Sequence, residues 1–269
     1  MIFDISSKNL TSLLDIDFPK DITILDCSNN LLTTLEGCPN TIIKLICYCN
    51  RLITLEHCSN TVIELYCSVN SLTTLQYCPD SVKKLKCHNN PLRSLQYCPN
   101  SVTKLDCSDC LLTSLQYCST SVIKLCCTVN MLTSLQYCPD SVKILNCCHN
   151  QIQSLEYCPK YVVNLDCSFN LLTSLQYSPS SVIYLYCSFN LLSSLQYCPD
   201  SVVDLNCRRN QLKTLKYCPN TVKELTCSSN SLKTLEYCPN IVKELYCGKN
   251  LLTTLKYCPR SVKIIFLLS

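Results

Sequence analysis

From residue 21 the chain repeats every 20 residues, twelve times, with no insertion until residue 260. The copies SVKKLKCHNNPLRSLQYCPN (81–100), SVTKLDCSDCLLTSLQYCST (101–120) and TVKELTCSSNSLKTLEYCPN (221–240) align without a gap. Their shared wording is V-x-x-L-x-C-x-x-N-x-L-x-x-L-x-Y-C-P. A unit this short cannot bury its own apolar face. It becomes stable only when neighbouring copies stack and share a continuous core, which makes the chain a solenoid.

The columns of the repeat predict its geometry. Alternate side chains of an extended strand share a face, so the V, L and C slots are expected inward and the residues between them outward. One strand per copy, in parallel register, places equivalent residues ~4.8 Å apart. The return arm is too short for a helix, and ten copies carry proline late in the arm, which suits extended backbone. An asparagine closes the strand in eleven copies, from Asn30 to Asn250. Its amide both donates and accepts, so stacked asparagines are expected to satisfy the backbone of successive turns. Cys110 replaces it once, and a weaker donor there predicts a looser turn. Ten copies carry tyrosine before the second cysteine, from Tyr77 to Tyr257. Rings one repeat apart lie within stacking reach on the outer side.

This pattern resembles the leucine-rich repeat, L-x-x-L-x-L-x-x-N/C-x-L, with cysteine in the third apolar slot. The resemblance covers residues 21–260. The 20-residue length and late proline are similar to the short class found in secreted bacterial effectors. The wording LQYCPDSVKKL is similar to repeat proteins of giant amoeba-infecting viruses. The resemblance implies a leucine-rich-repeat horseshoe with a parallel concave β-sheet, a mostly extended convex side and little helix. Residues 1–20 are expected to cap the N-terminal end through an imperfect half-copy, NLTSLLDIDFPK, with Pro19 in phase and NLTSL out of phase. Residues 261–269 begin a thirteenth strand, where Ile264, Ile265, Phe266, Leu267 and Leu268 offer an apolar edge for homo-association.

The 27 cysteines would indicate disulfides in a short secreted chain. Here the length suffices for a core, no leader is evident in MIFDISSKNL, and the thiol count is odd. These features favour free thiols in a reducing, cytoplasmic compartment, the host cytoplasm if the chain is viral. Free cysteine behaves as a small buried hydrophobe. The pair in CSDC fits the same scheme: Cys107 stands in the core column and Cys110 in the asparagine column. No second pair at ligand spacing accompanies it, so no metal or cofactor is expected.

The net charge of +4 does not suggest nucleic acid as a partner, and no apolar run approaches the ~20 residues of a membrane helix. No nucleophile–base set or phosphate-binding glycine loop suggests catalysis. Function is therefore expected on the variable outward columns, as binding of a partner protein. Asn164, Asp166, Phe169, Tyr184, Tyr186, Phe189, Arg208 and Arg209 form the candidate patch on the concave sheet, with Asp204 and Asn206 beside it; aromatic residues and arginine predominate at interface hot spots. Lys84, Lys86, His88, Lys104 and Lys124 form a second, basic patch. The alternative is a structural solenoid that self-associates through its C-terminal strand or its tyrosines.

Overall fold

Each copy forms a strand of only three residues. The computed structural model describes residues 1–266, with side chains through residue 263. Two compact units result, Met1–Met131 and Leu132–Ser269. The first holds β1 (Ile2–Asp4), β2 (Ile24–Asp26), β3 (Lys44–Ile46), β4 (Glu64–Tyr66), β5 (Lys84–Lys86), β6 (Lys104–Asp106) and β7 (Lys124–Cys126). The second holds β8 (Ile144–Asn146), β9 (Asn164–Asp166), β10 (Tyr184–Tyr186), β11 (Asp204–Asn206), β12 (Glu224–Thr226), β13 (Glu244–Tyr246) and β14 (Ile264–Phe266). Within each unit consecutive strands pair in parallel and in register, as in Lys84↔Lys104 and Tyr184↔Asp204. No helix forms among the described residues. Leu267 and Leu268 lie outside them.

The return arm avoids a helix by making two successive turns. In the copy at 61–80 the Cys78 N–H donates to the Leu75 carbonyl at 2.9 Å, and next the Val82 N–H donates to that of Pro79 at 3.1 Å. Tyr77 stands third in the first turn with φ 65°, the left-handed position of a type II turn. Thr74 secures the same turn by accepting the Gln76 N–H at 3.1 Å. Neighbouring arms are joined by hydroxyls: Ser81 donates to the Val62 carbonyl at 2.7 Å, and Ser181 does the same to Val162.

The asparagine column ties each copy to the one before it. Asn170 donates to the Cys167 carbonyl of its own strand end at 3.1 Å and to Cys147 of the preceding copy at 3.0 Å. Its Oδ1 accepts the Ile152 N–H at 2.9 Å. Asn50, Asn70, Asn190 and Asn250 repeat this pattern. Cys110 breaks it, and the turn closes another way. Its thiol donates weakly to the Cys87 carbonyl at 3.7 Å. The Leu92 N–H, which an asparagine at 110 would accept, reaches back to the Asn90 carbonyl at 2.8 Å. Pro91 is the central residue of that tight turn, and its fixed φ matches an inverse γ-turn. The turn expected to loosen is thus closed locally.

Residues 1–20 carry more of the repeat than a half-copy. β1 pairs with β2 at Ile2↔Ile24, and the Lys8 and Leu10 N–H groups both donate to Asn30 Oδ1. Asn30 in turn donates to the Ile5 carbonyl at 2.9 Å, where later copies present cysteine. From Ile2 to Leu13 the spacing to the next copy is constant, so NLTSL is in phase with the strand and Pro19 is not. The extra residues fall in the return arm, where Leu13 and Leu14 cross over Gly37. A Cβ at Gly37 would meet the Leu13 carbonyl carbon and oxygen at 2.9 Å, and its φ is 88°. That position therefore requires glycine.

The core consists of the repeated V, L and C columns. All twelve members of the first cysteine column, Cys27 to Cys247, are buried. None of the 27 cysteines is bridged to another. Burial pushes thiols in both cysteine columns up, Cys98 to about 11 and Cys67 to about 12, because a thiolate inside an apolar stack lacks solvation. Ser178 interrupts the second column, and its hydroxyl is shielded from solvent without a partner.

Two predictions follow from this packing. Asn170→Ala should cost about 2 kcal/mol, since it leaves the Ile152 N–H without its acceptor and takes one of two asparagine donors from the Cys147 and Cys167 carbonyls, whereas Ser178→Cys should add about 1 kcal/mol by removing an unpaired hydroxyl. Urea unfolding checks both, and a neutral Asn170→Ala would refute the role given to the amide. The buried thiols also set an alkaline limit. Their raised folded pKa means that their contribution is full below the unfolded value near 8.5 and is lost as pH rises toward the folded values. Each proton retained only by the folded chain costs about 1.4 kcal/mol per pH unit over that range. The urea midpoint should therefore fall steeply between about pH 7.5 and about pH 9.5 in reducing buffer; an unchanged midpoint would show that the thiols titrate normally.

Candidate functional site

The residue before each asparagine is forced into the left-handed region. Val69 (φ 54°), Val129 (52°), His149 (52°), Phe169 (53°), Phe189 (53°) and Arg209 (50°) all stand there. Only glycine adopts this conformation freely, and a β-branched residue there is an outlier. The turn therefore fixes a Cβ direction shared by every copy. Side chains in this column are aimed outward at the spacing of the strands.

In the second unit that column carries planar groups. The His149 and Phe169 rings stack with centroids 3.9 Å apart and planes 14° from parallel. Phe169 and Phe189 stack at 3.9 Å and 15°. The Arg209 guanidinium lies 4.9 Å from the Phe189 centroid, and that of Arg208 lies 5.9 Å away. Imidazole, two phenyl rings and guanidinium thus form one stack, held by dispersion and cation–π attraction. Phe169 keeps 37% of its surface exposed, so the ring edges remain available.

The other predicted members of the patch lie on the strands. Tyr184 is exposed, and it pairs across the sheet with Asn164 and Asp204. The Tyr186 hydroxyl donates to Asp204 Oδ2 at 2.9 Å. Burial, with that carboxylate as acceptor, pushes this phenol up to about 12. Asp166 accepts the Ser168 N–H at 3.0 Å, and Asn206 accepts that of Arg208 at 3.1 Å. These Asx turns lead out of the strands into the stacked column. Phe169 and Phe189 accordingly stand in the bend beyond the strand rather than on the sheet, because strict alternation stops at the cysteine. His149 is the member that the sequence reading left out. Its position before an asparagine, in line with Phe169, was the available signal.

The predicted basic patch lies in the first unit and divides in two. Tyr66 donates to Glu64 Oε2 at 2.7 Å, and the Lys44 and Lys84 ammonium groups lie 3.7 Å from the same oxygen. The ammonium groups of Lys44, Lys84 and Lys86 stand 5.1, 4.9 and 5.5 Å from the Tyr66 centroid. The Tyr66 hydroxyl and then Lys84 and Lys44 hold the Glu64 carboxyl below its ordinary range. Lys104 and Lys124 are exposed on the next two strands. His88 is half-buried in the turn, where its carbonyl accepts the Val69 N–H.

The tyrosine column does not stack. Its members are 44–56% exposed, and among the described residues no ring pair joins two of them. Tyr77, Tyr97, Tyr117, Tyr137, Tyr177 and Tyr197 stand in the left-handed position of their turns. Among the described residues no group of three His, Cys, Asp or Glu side chains is disposed to hold a metal ion, and no helix is long and apolar enough to cross a membrane.

No protein-family model and no curated protein sequence matches the chain. Solved structures do match. The chain is similar to YopM from Yersinia enterocolitica WA-314, at 26% identity and a TM-score of 0.73, over 93% of this chain and 65% of that one. It is similar to YopM from Yersinia pestis, described as a leucine-rich effector protein, at 24% identity and a TM-score of 0.71, over 99% of this chain and 88% of that one. It is also similar to the functional domain of InlJ from Listeria monocytogenes, described as including a cysteine ladder, at 22% identity and a TM-score of 0.68, over 85% of this chain and 58% of that one. The chain thus spans less than two thirds of the first two structures in that group other than the Y. pestis protein. The fold is the helix-free parallel β-solenoid of leucine-rich-repeat proteins, a class of protein-interaction scaffold.

The stack makes its own prediction. In a double-mutant cycle with Phe169→Leu and Phe189→Leu, urea unfolding should show a coupling of about 1 kcal/mol. Additive effects would mean that the rings do not interact.

Proposed function

We propose that the chain binds a partner protein through the sheet face of its second unit and the stacked turn column beside it. The observation that carries this reading is the His149–Phe169–Phe189–Arg209 stack. Left-handed backbone is costly for non-glycine residues, and large rings there add nothing to the buried core. Aromatic and arginine side chains held rigidly at a surface are the usual anchors of an interface. A preformed stack also loses little conformational freedom on docking. Asn164, Asp166, Tyr184 and Tyr186 extend the surface along the strands. The reading assigns no reaction, cofactor, nucleic acid or membrane to the chain.

The free thiols support action in a reducing compartment, the cytoplasm, and that of an infected host if the chain is viral. A role like that of the leucine-rich effector from Y. pestis belongs to the same proposal. A second reading, a structural solenoid that self-associates, is favoured by the exposed tyrosines of the return arms, which join no other ring among the described residues.

A paired capture from cell lysate under reducing conditions tests the first reading. One bait is the native chain; the other carries Phe169→Glu, Tyr186→Glu and Phe189→Glu and is checked as folded by circular dichroism. A protein retained by the first and weakened at least tenfold with the second, then reproduced with purified partner, is the expected result. Equal retention would move the site off this surface.

A further inference from the structure

One outward column of the strands carries two charge ladders of opposite sign. In the first unit Lys84, Lys104 and Lys124 begin β5, β6 and β7 and face one another directly across the sheet. In the second unit Asp204, Glu224 and Glu244 begin β11, β12 and β13 in the same relation. Each ladder is three like charges in register, one strand spacing apart, about 4.8 Å. Like charges directly opposite across strands destabilise a sheet.

Neither ladder is fully paired within its own unit among the described residues. Among the described residues the ion pairs are those of Glu64 with Lys44 and Lys84. They engage one end of the basic ladder and leave Lys104 and Lys124 exposed. Tyr186 donates to Asp204, while Glu224 and Glu244 face no cation at ion-pair distance among the described residues. Glu224 is held above its ordinary range by burial and by the carboxylates of Asp204 and Glu244. Lys223 and Lys243 precede these acids in sequence, but they are exposed and form none of those ion pairs.

The two ladders match in spacing because one repeat builds both. Charges at the same position of the same repeat, three deep, meet their opposites without any adjustment of the backbone. An unrelated acidic or basic partner would have to reproduce that interval. A second copy of this chain already has it. We propose that the chain self-associates through its sheet faces, with the lysine ladder of one copy against the carboxylate ladder of another. This does not rest on the partner-binding reading, whose anchoring rings are left untouched below.

Sedimentation velocity of the full chain in reducing buffer tests the proposal. At about 50 mM salt the native chain should sediment as an assembly, and at about 500 mM as a monomer, since screening shortens the reach of exposed charges. Two variants follow: Lys104→Glu with Lys124→Glu, and Glu224→Lys with Glu244→Lys. Each alone should raise the dissociation constant at least tenfold at low salt. Mixed in equal amounts they should associate again, because each restores the opposite sign that the other lost, and recovery shows that both are folded. A native chain that stays monomeric at low salt overturns the proposal. So does association that survives both reversals, which would place contact on the tyrosines or another surface. Failure of two folded monomeric variants to recombine overturns the ladder pairing itself.

Discussion

A three-residue strand contributes too few ladder bonds to hold a copy in place. The asparagine amide supplies what is missing. Its nitrogen donates to the cysteine carbonyls of two successive copies, and its oxygen accepts a backbone N–H from the earlier one. The sharp turn after each strand is thereby satisfied away from water, where an unpaired backbone group is expensive. The amide also sets the register, because it reaches only the copy directly before it. The residue that precedes it is left in the left-handed region. The feature that stacks the fold is thus the one that aims the turn column outward, and the aromatic stack is a by-product of the scaffold that sequence variation has filled.

Cysteine in the neighbouring column has a related cause. The carbonyl of that residue is engaged by asparagines of its own and the next copy, as at Cys167, and the buried thiol packs as a small hydrophobe. Several of the thiols also point at a backbone oxygen, as Cys107 does toward Cys126 at 3.5 Å, a weak donation that valine cannot make. The consequence is a core whose integrity depends on protonation. Burial keeps the thiols neutral at ordinary pH, and a thiolate there would be a charge without solvent or partner.

The repeat, its length, the single strand per copy and the amide ladder were all legible in the sequence, because identical neighbours turn a local pattern into a tertiary contact. Departures from the pattern were harder to read. At Cys110 the missing acceptor is offset by Pro91, one copy earlier, and alignment by columns separates those two residues. At the N-terminus a return arm with extra residues disguised a strand that is in phase from Ile2 to Leu13, and Pro19 was the misleading landmark. The candidate site was legible as composition but not as geometry. Period-two alternation carries as far as the cysteine and then fails, since the next residues bend. Phe169 and Phe189 were therefore expected on the sheet, and His149, in the same column, was not singled out. Exposed tyrosines misled in the opposite way: equal spacing suggested stacking, but among the described residues the rings stay exposed and join no other ring.

In a solenoid the residues that pack the core are the same in every copy, so they cannot distinguish one surface from another. Only positions where the sequence accepts a local cost can do so. Two such costs occur here. Rings occupy left-handed positions that asparagine or glycine would fill with less strain, and like charges face each other on successive strands where alternation of sign would stabilise the sheet. The first is partly offset within the chain by stacking at 3.9 Å. The second is not, since Glu224, Glu244, Lys104 and Lys124 form no ion pair among the described residues. An arrangement that is offset internally makes a rigid anchor. One that is not is relieved only by something outside the chain, and the two surfaces therefore call for different occupants.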